Sequence, residues 1–153
     1  MSNYVATILT TAVQESAHLL GKDLDATSAE VCTQTLNDKC RTVHSMVIEL
    51  TGFNHAVVRL LNGETITYAD MAAPNPDADL AEARTNWAAS VDAVVEKISS
   101  ISEDDWMTMI SAPWGAQLTK ANAAMWVVTH AMYHDGQINL IQVANGDTNV
   151  HWM

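Results

Sequence analysis

Two histidines, His130 and His134, stand four residues apart late in the chain, and imidazoles at this spacing can hold a metal ion. Apolar residues recur around them at Val127, Ile138 and Ile141 with the period of a helix, so both rings should lie on one largely buried face. Burying a polar ring without a partner costs on the order of 1–3 kcal/mol. A divalent metal would satisfy both rings at once. Backbone carbonyls or water are the alternative partners, and the histidines would then be ordinary core residues.

Glu49 is the second candidate, because it stands in the middle of a mostly apolar helical segment between Ile48 and Leu50. An unpaired carboxylate in apolar surroundings is strongly penalised, which favours a cationic partner. A solvent-facing side of the helix is the other interpretation of the same pattern. Two histidines lie nearby in sequence, but at 100° per residue His44 points about 140° and His55 about 240° away from Glu49. They therefore lie on other faces of the helix.

The two cysteines, Cys32 and Cys40, are too few and too close in sequence to indicate a disulfide framework, so we expect reduced thiols. Together with His44 they form the pattern Cys-x7-Cys-x3-His, which is not a usual zinc-binding spacing. We predict no zinc site there.

The composition is typical of one folded domain that spans residues 1–153, since 48% of the residues are apolar and 16% are charged. The net charge of −11 and the scattering of only seven Lys and Arg argue against nucleic acid as a partner. The first residues lack the basic region of a signal peptide, and no apolar run reaches the roughly 18 residues of a membrane span. We therefore expect a cytoplasmic protein with no membrane partner.

Four long segments have the periodicity of amphipathic helices, and little of the chain alternates as strands do. The predicted helices are Asn3–Leu20, ended by Gly21, then Thr42–Leu61, Asp79–Ser99 and Thr119–Ala144. The residues expected to face inward on the first helix are Val5, Ile8, Ala12, Ser16 and Leu19. The pattern predicts an all-α protein, a four-helix bundle.

The sequence also predicts the structure of the connections between these helices. A short helix through Val31 and Leu36 is predicted before the second long helix. The irregular stretch from Glu64 to Asp79 contains two prolines and is long enough to cross the domain, which suits two helices that are not antiparallel neighbours. The aperiodic segment 106–118 should lie over one end of the bundle, with Trp114 as a lid or as plain packing.

Three short motifs resemble those of DinB/YfiT-like proteins, in the same order along the chain. The first is Pro113-Trp114-Gly115 followed by Leu118-Thr119, the second is His130-x-x-x-His134-x-Gly136-Gln137, and the third is the ending Gly146-Asp147-x-x-Val150-His151-Trp152. The resemblance covers nearly the whole chain and implies the same four-helix bundle.

The resemblance also implies a metal site. Members of the family generally bind a divalent metal through one histidine on the second helix and the histidine pair on the fourth. In the matching register Glu49 takes the place of the first histidine, which implies the ligand set Glu49, His130 and His134; His44 and His55 are the alternatives for the third ligand. Two imidazoles and a carboxylate would accept Zn, Ni, Fe or Mn. Asp135 stands where relatives usually have an arginine.

Two classes of function follow from the resemblance. As an enzyme, the protein would use its metal to activate a low-molecular-weight thiol, such as mycothiol, bacillithiol or glutathione, for transfer to a small-molecule electrophile. As the alternative, it would be a non-catalytic binding or interaction module with a structural metal or a polar core. We also expect a homodimer.

Overall fold

A computed structural model describes residues 3–152 of the chain as a bundle of helices. Met1, Ser2 and Met153, which the single-domain prediction includes, lie outside the described residues. The helices are α1 Tyr4–Ala26, α2 Ala29–Thr33, α3 Val43–Leu61, α4 Leu80–Ser100 and α5 Lys120–Ala144. The prediction of an all-α four-helix bundle is confirmed, with α1, α3, α4 and α5 as the long helices. No helix of the described residues is long and apolar enough to cross a membrane.

Two core clusters define the directions of the four long helices. The first contains residues from the start of α1 and α5 and from the end of α3 and α4, among them Leu9, Val57, Val94 and Val127. The second contains the opposite ends, among them Leu24, Val47, Trp87 and Ile138. Helices α3 and α4 therefore run parallel, and α1 and α5 run antiparallel to both. The long connection between α3 and α4 is needed because parallel neighbours cannot be joined by a short turn.

Helix α3 begins and ends where its sequence predicts. The Thr42 hydroxyl caps it by accepting a hydrogen bond from the Ser45 amide, at 3.0 Å. One face of α3 is buried along its whole length: Val43, Val47, Leu50, Asn54, Val57 and Leu61. A Cβ added at Gly52 would lie 2.3 Å from the Met71 carbonyl oxygen, so the mid-helix glycine lets the long connection pass directly over α3.

The prediction for α1 is wrong in two respects. The helix continues past Gly21 to Ala26, because Asp23 and Leu24 are buried and the space around Gly21 is open. Of the residues predicted to face inward, Ser16 is buried, but the other buried positions are offset by one from the predicted ones, since Leu9 is buried while Ile8 is 65% exposed. Apolar residues occupy adjacent positions along this helix, so two stripes about 100° apart compete and the sequence pattern does not choose between them.

A short antiparallel hairpin, β1 Met109–Ser111 and β2 Gln117–Thr119, precedes α5 and was not predicted. Three-residue strands are too short to show alternation. Its turn contains Gly115 at φ +85 and presents Trp114, which is 44% exposed and packs against Trp126 with ring centroids 4.6 Å apart. Helix α2 is likewise shorter than predicted and ends before Leu36.

Candidate metal centre

The structure brings together the three residues that were predicted as metal ligands. Glu49 lies in the middle of α3, and His130 and His134 lie one turn apart on α5, which packs antiparallel to α3. One ligand atom from each lies within 4.8 Å of the other two, and the residues 3–152 contain no other such cluster of His, Cys, Asp or Glu. We call these three residues the metal triad. Coordination of an ion by the triad stays a prediction.

The spacing of the ligand atoms suits a single ion. The two histidine Nε2 atoms are 3.0 Å apart, His134 Nε2 is 3.6 Å from Glu49 Oε2, and His130 Nε2 is 3.9 Å from Glu49 Oε1. Ligands bound tetrahedrally at 2.0–2.1 Å are about 3.3 Å from one another. The observed distances lie on both sides of that value, so small movements of the three side chains would give tetrahedral coordination.

The hydrogen bonds of the histidines leave one buried nitrogen without a partner. His134 Nδ1 is 2.8 Å from Gln137 Oε1, so this nitrogen carries the proton and His134 Nε2 presents a lone pair. If His130 Nε2 donates to that lone pair, then the buried His130 Nδ1 needs a donor and has none; if Nδ1 carries the proton, two lone pairs face each other. A cation between the two Nε2 atoms removes the second conflict, so the residues present fit a metal.

Burial keeps both histidines neutral, which is the form that binds metals. It lowers the pKa of His130 to about 4, with further contributions from His134 and Arg41. Burial also lowers the pKa of His134, although its hydrogen bond with Gln137 acts in the opposite direction and the charge of Arg41 adds to the lowering. Neither ring needs to lose a proton at neutral pH before it coordinates a cation.

The surroundings hold the triad in place. The Phe53 ring lies edge-on to the His130 ring, with centroids 4.2 Å apart, and Tyr133 lies edge-on to His134 at 5.1 Å. The Arg41 guanidinium pairs with the Glu49 carboxylate. Sequence reasoning missed Arg41, because it precedes the cap of α3 and helical periodicity says nothing about where it points.

The alternative ligands lie elsewhere. His44 Nε2 is 2.9 Å from the Ala78 carbonyl oxygen, and His55 lines a separate cavity between α3 and α4. Cys32 is buried and Cys40 is exposed, and neither belongs to a metal-binding cluster among the described residues.

Asp135, which follows His134 directly, lies inside the protein and is not part of the triad. It is fully buried against Asp23, which is also fully buried. Asn139 Nδ2 and Trp152 Nε1 both donate to Asp23 Oδ2, at 2.8 and 2.6 Å. Burial, and then the hydrogen bond and charge of Asp23, raise the pKa of Asp135 to about 7. We call Asp23 and Asp135 the acid pair.

The fold defines a class, the four-helix bundle, and in bundles of this kind metal sites are commonly assembled from inward side chains on facing helices, which is where the triad lies. The sequence pattern of the DinB superfamily matches residues 14–138, and the chain belongs to that superfamily. Its structure is similar to the crystal structure of a DinB-like protein from Bacillus cereus ATCC 10987, with a TM-score of 0.71 and 15% identity over 90% of this chain and 91% of the other. No curated protein has a significantly similar sequence.

Proposed function

We propose that this protein binds one divalent metal ion through Glu49, His130 and His134 and uses it to activate a low-molecular-weight thiol for transfer to an electrophile. The observation that carries the proposal is the convergence of three ligand atoms within 4.8 Å on facing helices. Two imidazoles and one carboxylate suit Zn, Ni, Fe or Mn, and three protein ligands leave coordination positions free for a substrate.

A metal in this site would supply one chemical step, the deprotonation of a coordinated thiol at neutral pH, with the proton released to water. The residues of the chain would hold the metal and orient its ligands. The neutral rings of His130 and His134 provide lone pairs, Gln137 fixes the orientation of His134, and Phe53 restrains His130. The substrate sulfur then bonds to the electrophilic carbon, whose leaving group departs with the electron pair. No protein side chain is needed as the nucleophile.

The non-catalytic alternative also has an observation in its favour. Arg41 already gives Glu49 a cationic partner, so the carboxylate does not depend on a metal for its charge compensation. In that case the triad is a polar element between α3 and α5 that stabilises the bundle without turnover.

Thiol conjugation with and without metal separates the two functions. We expect purified, zinc-loaded protein to accelerate the reaction of a thiol such as glutathione with 1-chloro-2,4-dinitrobenzene, and we expect chelation to abolish the acceleration. The double variant Cys32→Ser with Cys40→Ser should react at nearly the wild-type rate. A rate that survives chelation but disappears in the double variant would make a protein thiol the nucleophile. Metal binding without conjugation of any carboxylate-bearing or uncharged thiol would favour the non-catalytic module.

A further inference from the structure

The exposed face of helix α5 carries no charged side chain. Between residues 121 and 144 the chain has a single Asp, Glu, Lys or Arg, and this residue is the buried Asp135. Tyr133, Leu140 and Val143 are nevertheless 54–61% exposed on this helix. A surface helix normally presents charged and polar residues to water. An uncharged, partly apolar face on a chain with a net charge of −11 therefore calls for a partner.

The exposed residues of α5 follow the spacing by which one helix packs against another. They recur at intervals of four, three, four and three residues, which is the heptad pattern, and we call them the outer seam: Thr129, Tyr133, Gly136, Leu140 and Val143. The bundle core uses an inner seam with the same spacing: Val127, Ala131, His134, Ile138 and Ile141. The two seams are offset by two residues, which is about 200° around the helix, so they lie on opposite sides of α5.

Gly136 lies at the centre of the outer seam. It stands in the interior of α5, where glycine destabilises a helix relative to alanine. A Cβ added at Gly136 would meet nothing within 4 Å, whereas a Cβ at Gly52 would collide with the connection that crosses α3. Packing within one chain therefore explains the glycine at position 52 but not the one at 136. A glycine at position 136 would let the backbone of a second helix approach closely.

We propose that the outer seam packs against the same seam of a second copy of this chain, in an antiparallel contact centred on Gly136. The seam is symmetric about this residue, because Thr129 and Val143 lie seven positions away on either side. A two-fold axis through Gly136 places Tyr133 against Leu140 of the second copy. The antiparallel direction also sets opposite ends of the two helix dipoles side by side. The expected homodimer thereby acquires a specific surface.

Charge favours a second copy as the occupant of the outer seam. Two copies that each carry a net charge of −11 repel one another, and on this face they meet without bringing like charges together. A lipid surface fits poorly, because anionic headgroups attract basic residues and Lys120 is the only Lys or Arg of α5. The seam spans about 21 Å at 1.5 Å per residue. A contact of this size is small, so we expect a reversible dimer with a Kd on the order of 10 µM.

The outer seam borders the metal triad. Tyr133 belongs to the seam, and its hydroxyl oxygen accepts a hydrogen bond from Gln137 Nε2 at 3.1 Å. Gln137 in turn orients His134 through its other amide atom. A second copy packed on Tyr133 would restrict the movement of these side chains. The dimer itself requires no metal, so its formation is independent of the proposed function.

Sedimentation equilibrium of the purified protein tests the association. From about 1 to 100 µM, wild type should show a reversible equilibrium between the monomer of 16.6 kDa and a species of twice that mass. Leu140→Glu places two carboxylates in the contact and should raise the Kd at least about tenfold. Ala88→Glu adds the same charge at an exposed position of α4 and should leave the Kd nearly unchanged. Gly136→Gln should also raise the Kd about tenfold or more, because its side chain holds the two helices apart. Its melting temperature should stay at or above that of wild type, since glutamine favours a helix and nothing in the chain obstructs it.

Disulfide trapping tests the antiparallel register. In a background with Cys32→Ser and Cys40→Ser, a mixture of Thr129→Cys and Val143→Cys proteins should form a cross-linked dimer on mild oxidation. Either protein alone should not, because its two new thiols would be about 21 Å apart. Three results would overturn the proposal: a wild type that stays monomeric at about 100 µM, a dimer that survives both Leu140→Glu and Gly136→Gln, or efficient cross-linking of Thr129→Cys with itself. Metal content is measured separately, so the proposed dimer can fail while metal binding stands.

Discussion

The metal triad and the acid pair are neighbours on α5, since His134 and Asp135 are adjacent in sequence, yet they differ in access and in charge. The Glu49 side chain is 33% exposed and that of His130 is 19% exposed, so the triad is open to solvent. Asp23 and Asp135 are both fully buried. The triad has neutral nitrogens that converge on one point, whereas the acid pair consists of two carboxyl groups in contact inside the protein.

This difference shows two ways in which polar groups on the same helix are kept without net charge: a carboxyl group keeps a proton, and an imidazole stays neutral. Two adjacent carboxylates cannot both stay ionised in a closed site, so one keeps a proton. Asn139 and Trp152 donate to Asp23, while both oxygens of Asp135 lack a hydrogen-bond donor, so Asp135 is the natural holder of that proton. A solvent-accessible set of neutral imidazoles can instead take a cation from solution. We therefore expect changes in the acid pair to affect folding and changes around the triad to affect metal binding.

The largest effect on stability is expected from Asp135→Asn in metal-free protein at high pH. The folded pKa of Asp135, about 7, lies above its ordinary value of 3.8. Between these values the folded state keeps a proton that the unfolded chain has lost, so this contribution to stability is complete below about pH 4 and is lost as the pH rises through 7. Asparagine has no proton to lose. The variant should gain on the order of 2 kcal/mol over wild type at pH 8, because part of the gain from removing the titration is offset by the poorer fit of the amide in a site shaped for a carboxyl group.

Urea unfolding in the presence of a chelator, at pH 4.5 and at pH 8, measures this difference. The histidines of the triad titrate in both proteins and cancel from the comparison. A gap between the two proteins that is the same at both pH values would show that Asp135 does not hold a proton in the folded state.

Gln137→Ala and Asn139→Ala form a matched pair, because each removes one amide from α5. The Gln137 side chain orients His134, and loss of such an outer contact typically weakens metal binding about 10- to 100-fold. The Asn139 side chain donates to Asp23, so its loss should cost about 1–3 kcal/mol of folding free energy and leave metal affinity nearly unchanged. Zinc titration and urea unfolding of both variants check this division. An equal loss of metal affinity in Gln137→Ala and Asn139→Ala would show that the metal triad and the acid pair do not act separately.

A feature of this structure could be predicted from the sequence when it depends on residues that are close together in the chain. The bounds of α3, α4 and α5 follow from periodicity and from caps at Thr42, Asp79 and Thr119, which are local properties of the chain. The histidine pair is also local, since its two members are one turn apart. Glu49 was a candidate because of its place in an apolar helical segment, and its role as the third ligand was implied by the register of a family resemblance.

The features that sequence missed depend on contacts between distant segments. The acid pair joins Asp23 to Asp135, and the first of these lies beyond the point where α1 was predicted to end. A cavity of about 270 Å³ is lined by Cys40 and Arg41, which precede α3, and by Gln137 of α5, and the two helices α3 and α4 separate these residues in the sequence. No local rule predicts such pairs, because they are set by how the helices pack and not by the pattern within any one of them.

The smallest expected effect concerns the C-terminal segment. The Trp152 indole donates to Asp23 Oδ2 at 2.6 Å, and Lys22 Nζ donates to the Trp152 carbonyl oxygen at 3.3 Å. Trp152→Phe keeps most of the apolar contact and removes the indole donor, which should cost about 1 kcal/mol of folding free energy. The change in thermal unfolding should be absent from a variant at the exposed Val150, such as Val150→Ala. Weaker zinc binding in Trp152→Phe would contradict the separation of the two clusters.

The most direct test of the central claim is the zinc content of purified protein after dialysis, measured in wild type and in His130→Ala, His134→Ala and Glu49→Gln. We expect about one ion per chain in wild type, a collapse of metal content in both histidine variants and weaker retention in Glu49→Gln, with His44→Ala and His55→Ala unchanged. Urea unfolding of each variant establishes that it is folded. Full metal content in both His130→Ala and His134→Ala, or loss of metal in His44→Ala but not in Glu49→Gln, would contradict the assignment of the metal triad.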